Sequence, residues 1–291
     1  YDMNDINERL NLGMPQIASE PTIITPEPQT KSAPRIVRVS TADRRSVVNE
    51  FIRSVATPTE TALRRKMAKY LASLSAEQKA RFNAWIKKSG LTDSSILTLS
   101  KDDIDAILFQ RERWDKAIEA AAGDSIKRTI ASSMKAAAKE VDSLAIPVSD
   151  PRVTDIFAKS MASLIDTNKT TQDKVRAHLL ASAAQGETVQ QAQGRIAQFF
   201  GGNASRALLI ARTENGMAAS NARFEQIKDA GVERHQWVTA NDGEVRPSHA
   251  EVDGDIVDIG KPFKNGLRYP HEFGSDPSEV CNCRCEALAV L

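Results

Sequence analysis

The sequence is short of several things. Aromatic residues make up only 5% of it, there are three cysteines, and no apolar run approaches the roughly 18 residues that a membrane-spanning helix needs. No secretory signal pattern opens the chain. Neither sign of charge dominates: 39 Lys and Arg stand against 38 Asp and Glu, a net charge of +1. That excludes the strongly basic balance of a dedicated nucleic-acid binder. The cysteine count is odd, and Cys281, Cys283 and Cys285 are bunched at alternate positions, a poor framework for structural disulfides. A reducing compartment and a metal or free-thiol role fit them better. The sequence begins at Tyr1 rather than Met, as expected of a processed product or a piece of a longer chain.

What is present is mostly helix. The chain has 291 residues, room for two domains on a prior of about 150 residues each. Residues 1–17 offer a short helix between Asn4 and Gly13. Residues 18–40 belong to a proline-rich stretch (Pro15, Pro21, Pro26, Pro28 and Pro34) that reads as an extended linker. From 41 to 200 the periodicity is helical. Leu63, Met67, Leu71 and Leu74 form one apolar stripe, with Pro58 in the first turn. A further helix is expected from Ser75 to Gly90, another over 102–121, and a break at Gly123 before a helix over 124–143. Helices over 152–165, 169–184 and 189–199 follow, the last opened by a Thr188/Gln191 capping box. Trp85 and Trp114, at helical spacing beside aliphatics, read as core. The pairs Arg64-Arg65 and Lys87-Lys88 read as solvated faces.

The chemistry is concentrated in the last third. A long helix over 204–230 should stop at Gly231. Beyond it the period changes to that of a strand at His235–Thr239, a turn at Asn241-Asp242-Gly243, and a second strand at Ile256-Val257 reached through Asp253-Gly254. Residues 262–277 are rich in Pro and Gly and cannot bury enough apolar surface unaided, so the region needs an anchor. Thiolates and imidazoles are zinc ligands by chemistry. In an extended segment Cys281, Cys283 and Cys285 share a face, and His249 is the obvious imidazole. Asp242 or His271 could complete the set. An equally available reading is a thiol-bearing core strand with a surface histidine. His249-Ala250-Glu251 also has the H-x-E form of zinc deaminases. No two cysteines here are three apart, however, and Val280 stands where proline should precede them.

Taken together, Arg212-Thr213-Glu214, Asn221, Gly231-Val232, Trp237, Asp242, Arg246-Pro247-Ser248-His249, Gly254, Pro270 and Asn282-Cys283-Arg284-Cys285 resemble the Mu F-like family of tailed-bacteriophage minor head proteins. The resemblance covers roughly residues 200–288. It implies a structural, non-enzymatic protein of the phage head, in multiple copies at the portal vertex or on the capsid interior. Such a protein aids head assembly or DNA ejection, with the portal or major capsid protein as partner and packaged DNA as a further contact. It would lie in the virion, and in the host cytoplasm during assembly, with no membrane partner. The resemblance makes His249, Cys283 and Cys285 the metal ligands; Cys281 and His271 fall outside the family pattern. Some members carry a toxin domain beyond this module; none is expected within the residues up to Leu291. Residues 1–17 are also similar to the tail of phage portal proteins, which implies a portal–minor-head fusion.

The remaining motif residues are expected to form a structural network. Arg212 and Glu214 would bind the irregular zinc region to the helix, Asn221 belongs with them, Arg246 and Asp242 would act across the turn, and Trp237 would anchor the core. The expected fold is mainly α, with a small α+β, zinc-stabilised module at 201–291. A zinc-dependent hydrolase or deaminase using Glu214 or Glu251, and a DNA-binding virion protein, are the competing readings.

Overall fold

The computed structural model describes residues 41–291. The helix over 1–17, its portal-like resemblance and the linker over 18–40 lie outside the described residues. α1 (Thr41–Phe51) passes through one π turn (Ile52–Ala56) into α2 (Thr57–Ser89). Then come α3 (Lys101–Ile107), α4 (Arg111–Glu140), α5 (Pro151–Ala184), α6 (Val189–Gly201) and α7 (Asn203–Asp229). The C-terminal part holds β1 (Arg234–Val238), α8 (Pro247–Ala250), β2 (Ile256–Asp258), α9 (Pro277–Val280) and β3 (Glu286–Val290). The described residues are thus mainly helical, with a small antiparallel sheet ordered β2-β1-β3.

The main core forms where α2, α4, α5 and α7 meet. Leu63, Met67, Leu71 and Leu74 face Ile118, Ile126 and Ile130 of α4, Leu164 of α5, and Ala207, Ala211, Ala218 and Ala222 of α7. Each buried leucine or methionine contributes about 2 kcal/mol, and the alanines let the α7 backbone approach closely. A second cluster at the far end joins Phe82, Trp85, Ile104, Val175, Leu179 and Phe200. Trp85 and Trp114 are core residues as expected. The Thr188/Gln191 capping box and the left-handed stops at Gly90 and Gly231 also form.

Three expected helix breaks are absent, each for a tertiary reason. The cap signal at Ser75 is overridden because the buried stripe continues from Leu74 to Phe82, with Gln78 between them donating to the Ile107 carbonyl and accepting from Phe109 N, so α2 runs on. Gly123 lies inside α4, against α5, where an added Cβ would sit 3.7 Å from the Phe157 ring. The polar run at 166–169 stays helical because Asn168 turns inward. It donates to Asp115 at 2.9 Å and accepts from the Tyr70 hydroxyl at 2.6 Å. The break instead falls at 108–110, where Leu108 is extended.

α7 is buried nearly all round, including Thr213, Glu214, Asn215, Ser220, Asn221, Arg223 and Gln226. Glu214 does not reach the irregular C-terminal region expected of it. Helical rotation aims it at α5, where it accepts from Ser163 at 2.8 Å, and its other oxygen has no partner. Burial pushes its pKa up to about 8; the Ser163 bond opposes this and Asp166 adds to it.

A carboxyl that binds its proton more tightly in the folded state than in the unfolded one stabilises the fold fully at pH below about 4.5. That contribution is lost as pH rises through about 8. Glu214→Gln should therefore gain stability relative to the parent between pH 5 and pH 9, by up to about 3 kcal/mol. Urea unfolding at both pH values measures it; an equal offset at both would show that Glu214 is not held protonated.

Candidate metal centre

The part of the chain after α7, residues 230–291, has little secondary structure, and α7 side chains hold it. Arg212 donates to Asn282 Oδ1 at 2.8 Å, and the Thr213 hydroxyl accepts from Asn282 N at 3.0 Å. These bonds fix a turn in which Asn282 has φ 59°, a left-handed conformation that asparagine tolerates better than most residues. The Ser220 hydroxyl donates to the Pro270 carbonyl at 2.6 Å. Asn221 donates to the His271 carbonyl at 3.0 Å and accepts from Tyr269 at 2.9 Å. Arg246 donates to the Cys281 carbonyl across the turn. Arg212, Asn221 and Arg246 thus all bond to this region.

Pro247 starts the single-turn helix α8, which delivers His249 into the interior. Its Nδ1 lies 3.6 Å from Cys283 Sγ and 3.4 Å from Cys285 Sγ, and the three ligand atoms lie within 4.8 Å of one another. In a tetrahedral zinc site with bonds of about 2.3 Å to sulfur and 2.0 Å to nitrogen, sulfur and nitrogen sit ~3.5 Å apart. The His249 ring is aimed by its other nitrogen. Nε2 lies 2.9 Å from Glu279 Oε2 on α9, and the same oxygen accepts from Ser248 at 3.0 Å. With Nε2 donating to this carboxylate, the Nδ1 lone pair faces the sulfurs, as in carboxylate–histidine–metal arrangements. Trp237, fully buried, packs edge-on against the His249 ring at 5.0 Å and closes the site on the side of the sheet.

The electrostatics favour a cation between the sulfurs. The Cys285 backbone N–H donates to Cys283 Sγ at 3.3 Å. Interaction with the Cys285 side chain, opposed by burial and helped by His271 and His249, holds the Cys283 thiol well below its usual range. The same partnership and burial push Cys285 up. Two buried sulfurs here compete for one negative charge, and a divalent ion removes that competition. The hollow they border, about 10 Å³, is large enough for one ion and far too small for an organic ligand.

Cys281 and Asp242 do not join this group. The left-handed Asn282 breaks the extended run, so Cys281 leaves the face shared by Cys283 and Cys285. Asp242 is paired with Arg284. His271 is buried beside Cys283 without joining the three. Burial draws its pKa down, but Cys283 and Glu286 outweigh that and raise it. Glu251 is exposed at the end of α8. Glu279 and Gly216 were not legible as site residues. Asp276-Pro277-Ser278-Glu279 carries a cap signal and nothing that ties it to His249. The His271 ring lies flat on Gly216, where an added Cβ would come within 2.4 Å of it.

A small α+β module with a buried cluster of one imidazole and two cysteine sulfurs, packed on a helical bundle, is the class of structure these observations define. Residues 173–288, which include the whole cluster, match the family described as Phage Mu protein F like protein. The match starts within α5, ahead of the residue-200 start read from motifs. Among curated proteins, one similar protein is an uncharacterised protein of Haemophilus influenzae, 29% identical over 122 residues, which are 41% of this chain and 25% of that protein. Another is the NAD(+)--arginine ADP-ribosyltransferase EFV of Enterococcus faecalis, 34% identical over 93 residues, 30% of this chain and 19% of that protein. The matched stretches thus span a quarter or less of these relatives' lengths. No solved structure matches the chain.

Two substitutions test the geometry. Glu279→Gln should weaken zinc affinity roughly 10–100-fold, whereas Cys281→Ser should leave it within a factor of about two. Competition titration against a chromophoric chelator reads both, and equal losses would mean that Cys281 is a ligand. Gly216→Ala should destabilise by about 1–3 kcal/mol, because backbone and a buried ring must part. A melting temperature equal to the parent's would show that the ring moves freely.

Proposed function

We propose that this chain is a structural, non-enzymatic component of a tailed-phage head, acting at the portal vertex or on the inner capsid surface in head assembly or DNA ejection. Its partners on this reading are the portal or major capsid protein, and its place is the virion, after assembly in the host cytoplasm. The observation that carries the reading is the Mu F-like match over the segment that holds the buried His249, Cys283 and Cys285. The residues that fit a zinc ion are these three, with Glu279 orienting the imidazole. An ion held there would supply cross-linking of α8 to the segment before β3, and with it folding free energy.

Architecture fits the site better than turnover does. Trp237 and the sulfurs enclose the imidazole, His249 is buried, and Glu251, the acid a deaminase-like reaction would need, is solvent-exposed. The activity in the name of the enterococcal relative stays with that protein, since the match covers 19% of it.

Expressed during infection, the chain should sediment with phage heads, in fewer copies than the shell protein. Cys283→Ser should reduce its incorporation while shell assembly continues. A chain that stays in the soluble fraction, and whose metal-dependent hydrolysis of a nucleobase is abolished by Glu251→Gln, would replace this reading with the enzymatic one.

A further inference from the structure

The net charge of +1 hides a segregation. α2 carries Arg64, Arg65, Lys69, Lys79, Lys87 and Lys88 on its exposed surface, and no ion pair joins any of them to an acid among the described residues. The two acids of α2 are spent elsewhere. Glu60 turns toward Arg212 of α7 at 3.5 Å, and Glu77 pairs with Arg113 of α4 at 3.0 Å. Both are partly covered, with side-chain exposures of 23% and 17%, so neither offsets the outer face. α6, which lies beside α2 through the Gln193–Asn83 hydrogen bond of 2.9 Å, contains no acidic residue.

The arrangement is directional. At 100° per residue, the direction opposite the buried stripe of Leu63, Met67, Leu71, Leu74 and Phe82 passes within about 30° of Arg65, Lys69 and Lys87, and within about 70° of Lys79. From Arg65 to Lys87 the helix rises about 33 Å, close to one turn of a DNA duplex. Between the basic positions the exposed residues are Ala72, Ser73, Ala76, Ala80, Asn83 and Ala84, which are small and carry no charge. This face lacks what a protein partner would need. It has no exposed aromatic or large aliphatic anchor, and lysine is depleted at the centres of protein interfaces. Unpaired ammonium and guanidinium groups over small residues suit a regular row of phosphates approached closely and without base readout.

We propose that the outer face of α2 is a sequence-independent docking surface for the phosphate backbone of double-stranded DNA. The choice of duplex DNA among nucleic acids rests on the reading of the chain as a head component. The charge segregation itself does not depend on that reading.

Fluorescence anisotropy of the full chain with a 40-base-pair duplex of arbitrary sequence, between 50 and 200 mM KCl, tests this directly. Four phosphate contacts predict a slope of log K against log salt of about −3 to −4, hence a loss on the order of 100-fold across that range. The variant Arg65→Gln/Lys69→Gln/Lys79→Gln/Lys87→Gln keeps good helix formers and should remove most of the slope. Lys135→Gln/Lys139→Gln on α4 should leave it unchanged. If the fourfold variant melts early, Arg65→Gln/Lys69→Gln and Lys79→Gln/Lys87→Gln should each remove about half. A flat salt dependence in the parent, or a fourfold variant that retains the parent's slope, overturns the proposal. Incorporation into heads separates the two readings. A chain found in heads that does not bind duplex sinks the α2 surface alone. A chain that binds duplex with this slope but never enters heads sinks the head assignment and leaves the surface standing.

Discussion

The structure depends on α7 being buried along both the bundle and the C-terminal module. From Thr213 to Ile227 the helix has almost no solvent face on which to place its polar residues, so most of them find partners inside. Asn215 donates to the Ala56 carbonyl at 3.2 Å and accepts from Thr129 at 2.7 Å, while Gln226 holds the loop after α4 through Ile146 N at 2.7 Å and the Leu144 carbonyl at 3.0 Å. Arg223 is the extreme case. Fully buried, it donates to Glu140 at 2.8 Å and to the Ala287 carbonyl at 3.1 Å, and it lies 4.2 Å from the Phe51 ring. Desolvating such a pair offsets much of its Coulombic gain, but removing one partner leaves a buried charge and costs about 3–5 kcal/mol. What the group fixes is mutual position: α1, α4, α7 and β3 meet at one guanidinium.

The irregular segment over 259–285 is held from two sides by different chemistry. On one side are α7 side chains, each hydrogen bond contributing about 1 kcal/mol net. On the other is the cluster of His249, Cys283 and Cys285, which could hold a metal ion; a structural zinc ion at such a site would contribute on the order of 10 kcal/mol to folding. An ion held there would outweigh any single hydrogen bond, and the hydrogen bonds would decide which of several metal-compatible loop paths is adopted. The two meet at adjacent residues. Asn282 is bound by Arg212 and Thr213, and the next residue is the ligand candidate Cys283.

Much of this was legible because it rests on local pattern. The apolar stripe of α2, the Thr188 capping box and the strand around Trp237 follow from spacing; side-chain chemistry offered His249 and the cysteines as a metal set beside a core-strand alternative, and the family resemblance singled out Cys283 and Cys285. What was not legible depends on distant partners. Nothing near Glu214 says that it faces Ser163, and nothing near Glu279 says that it reaches His249. The alternation of the cysteines suggested three on one face, and a single left-handed residue undid that for Cys281. β3 was missed because Glu286-Ala287-Leu288-Ala289-Val290 lacks polar alternation. It is buried on both faces, between β1 and α7.

The same dependence on distant partners explains why charge could not be read from composition. Acids and bases are nearly equal in number, so the question is which are spent internally. Arg212, Arg223 and Arg113 each take an acid from another element. In doing so they remove negative charge from α2, where Glu60 and Glu77 turn inward, and from the junction of α4 with β3, where Glu140 and Glu286 face Arg223. The Arg212–Glu60 pair to α7 and the Arg113–Glu77 pair to α4 thereby leave the outer lysines and arginines of α2 without acidic partners. The basic face is a consequence of how the core is assembled, so substitutions at Arg212 or Arg113 would change the surface potential of α2 without touching any residue exposed on it.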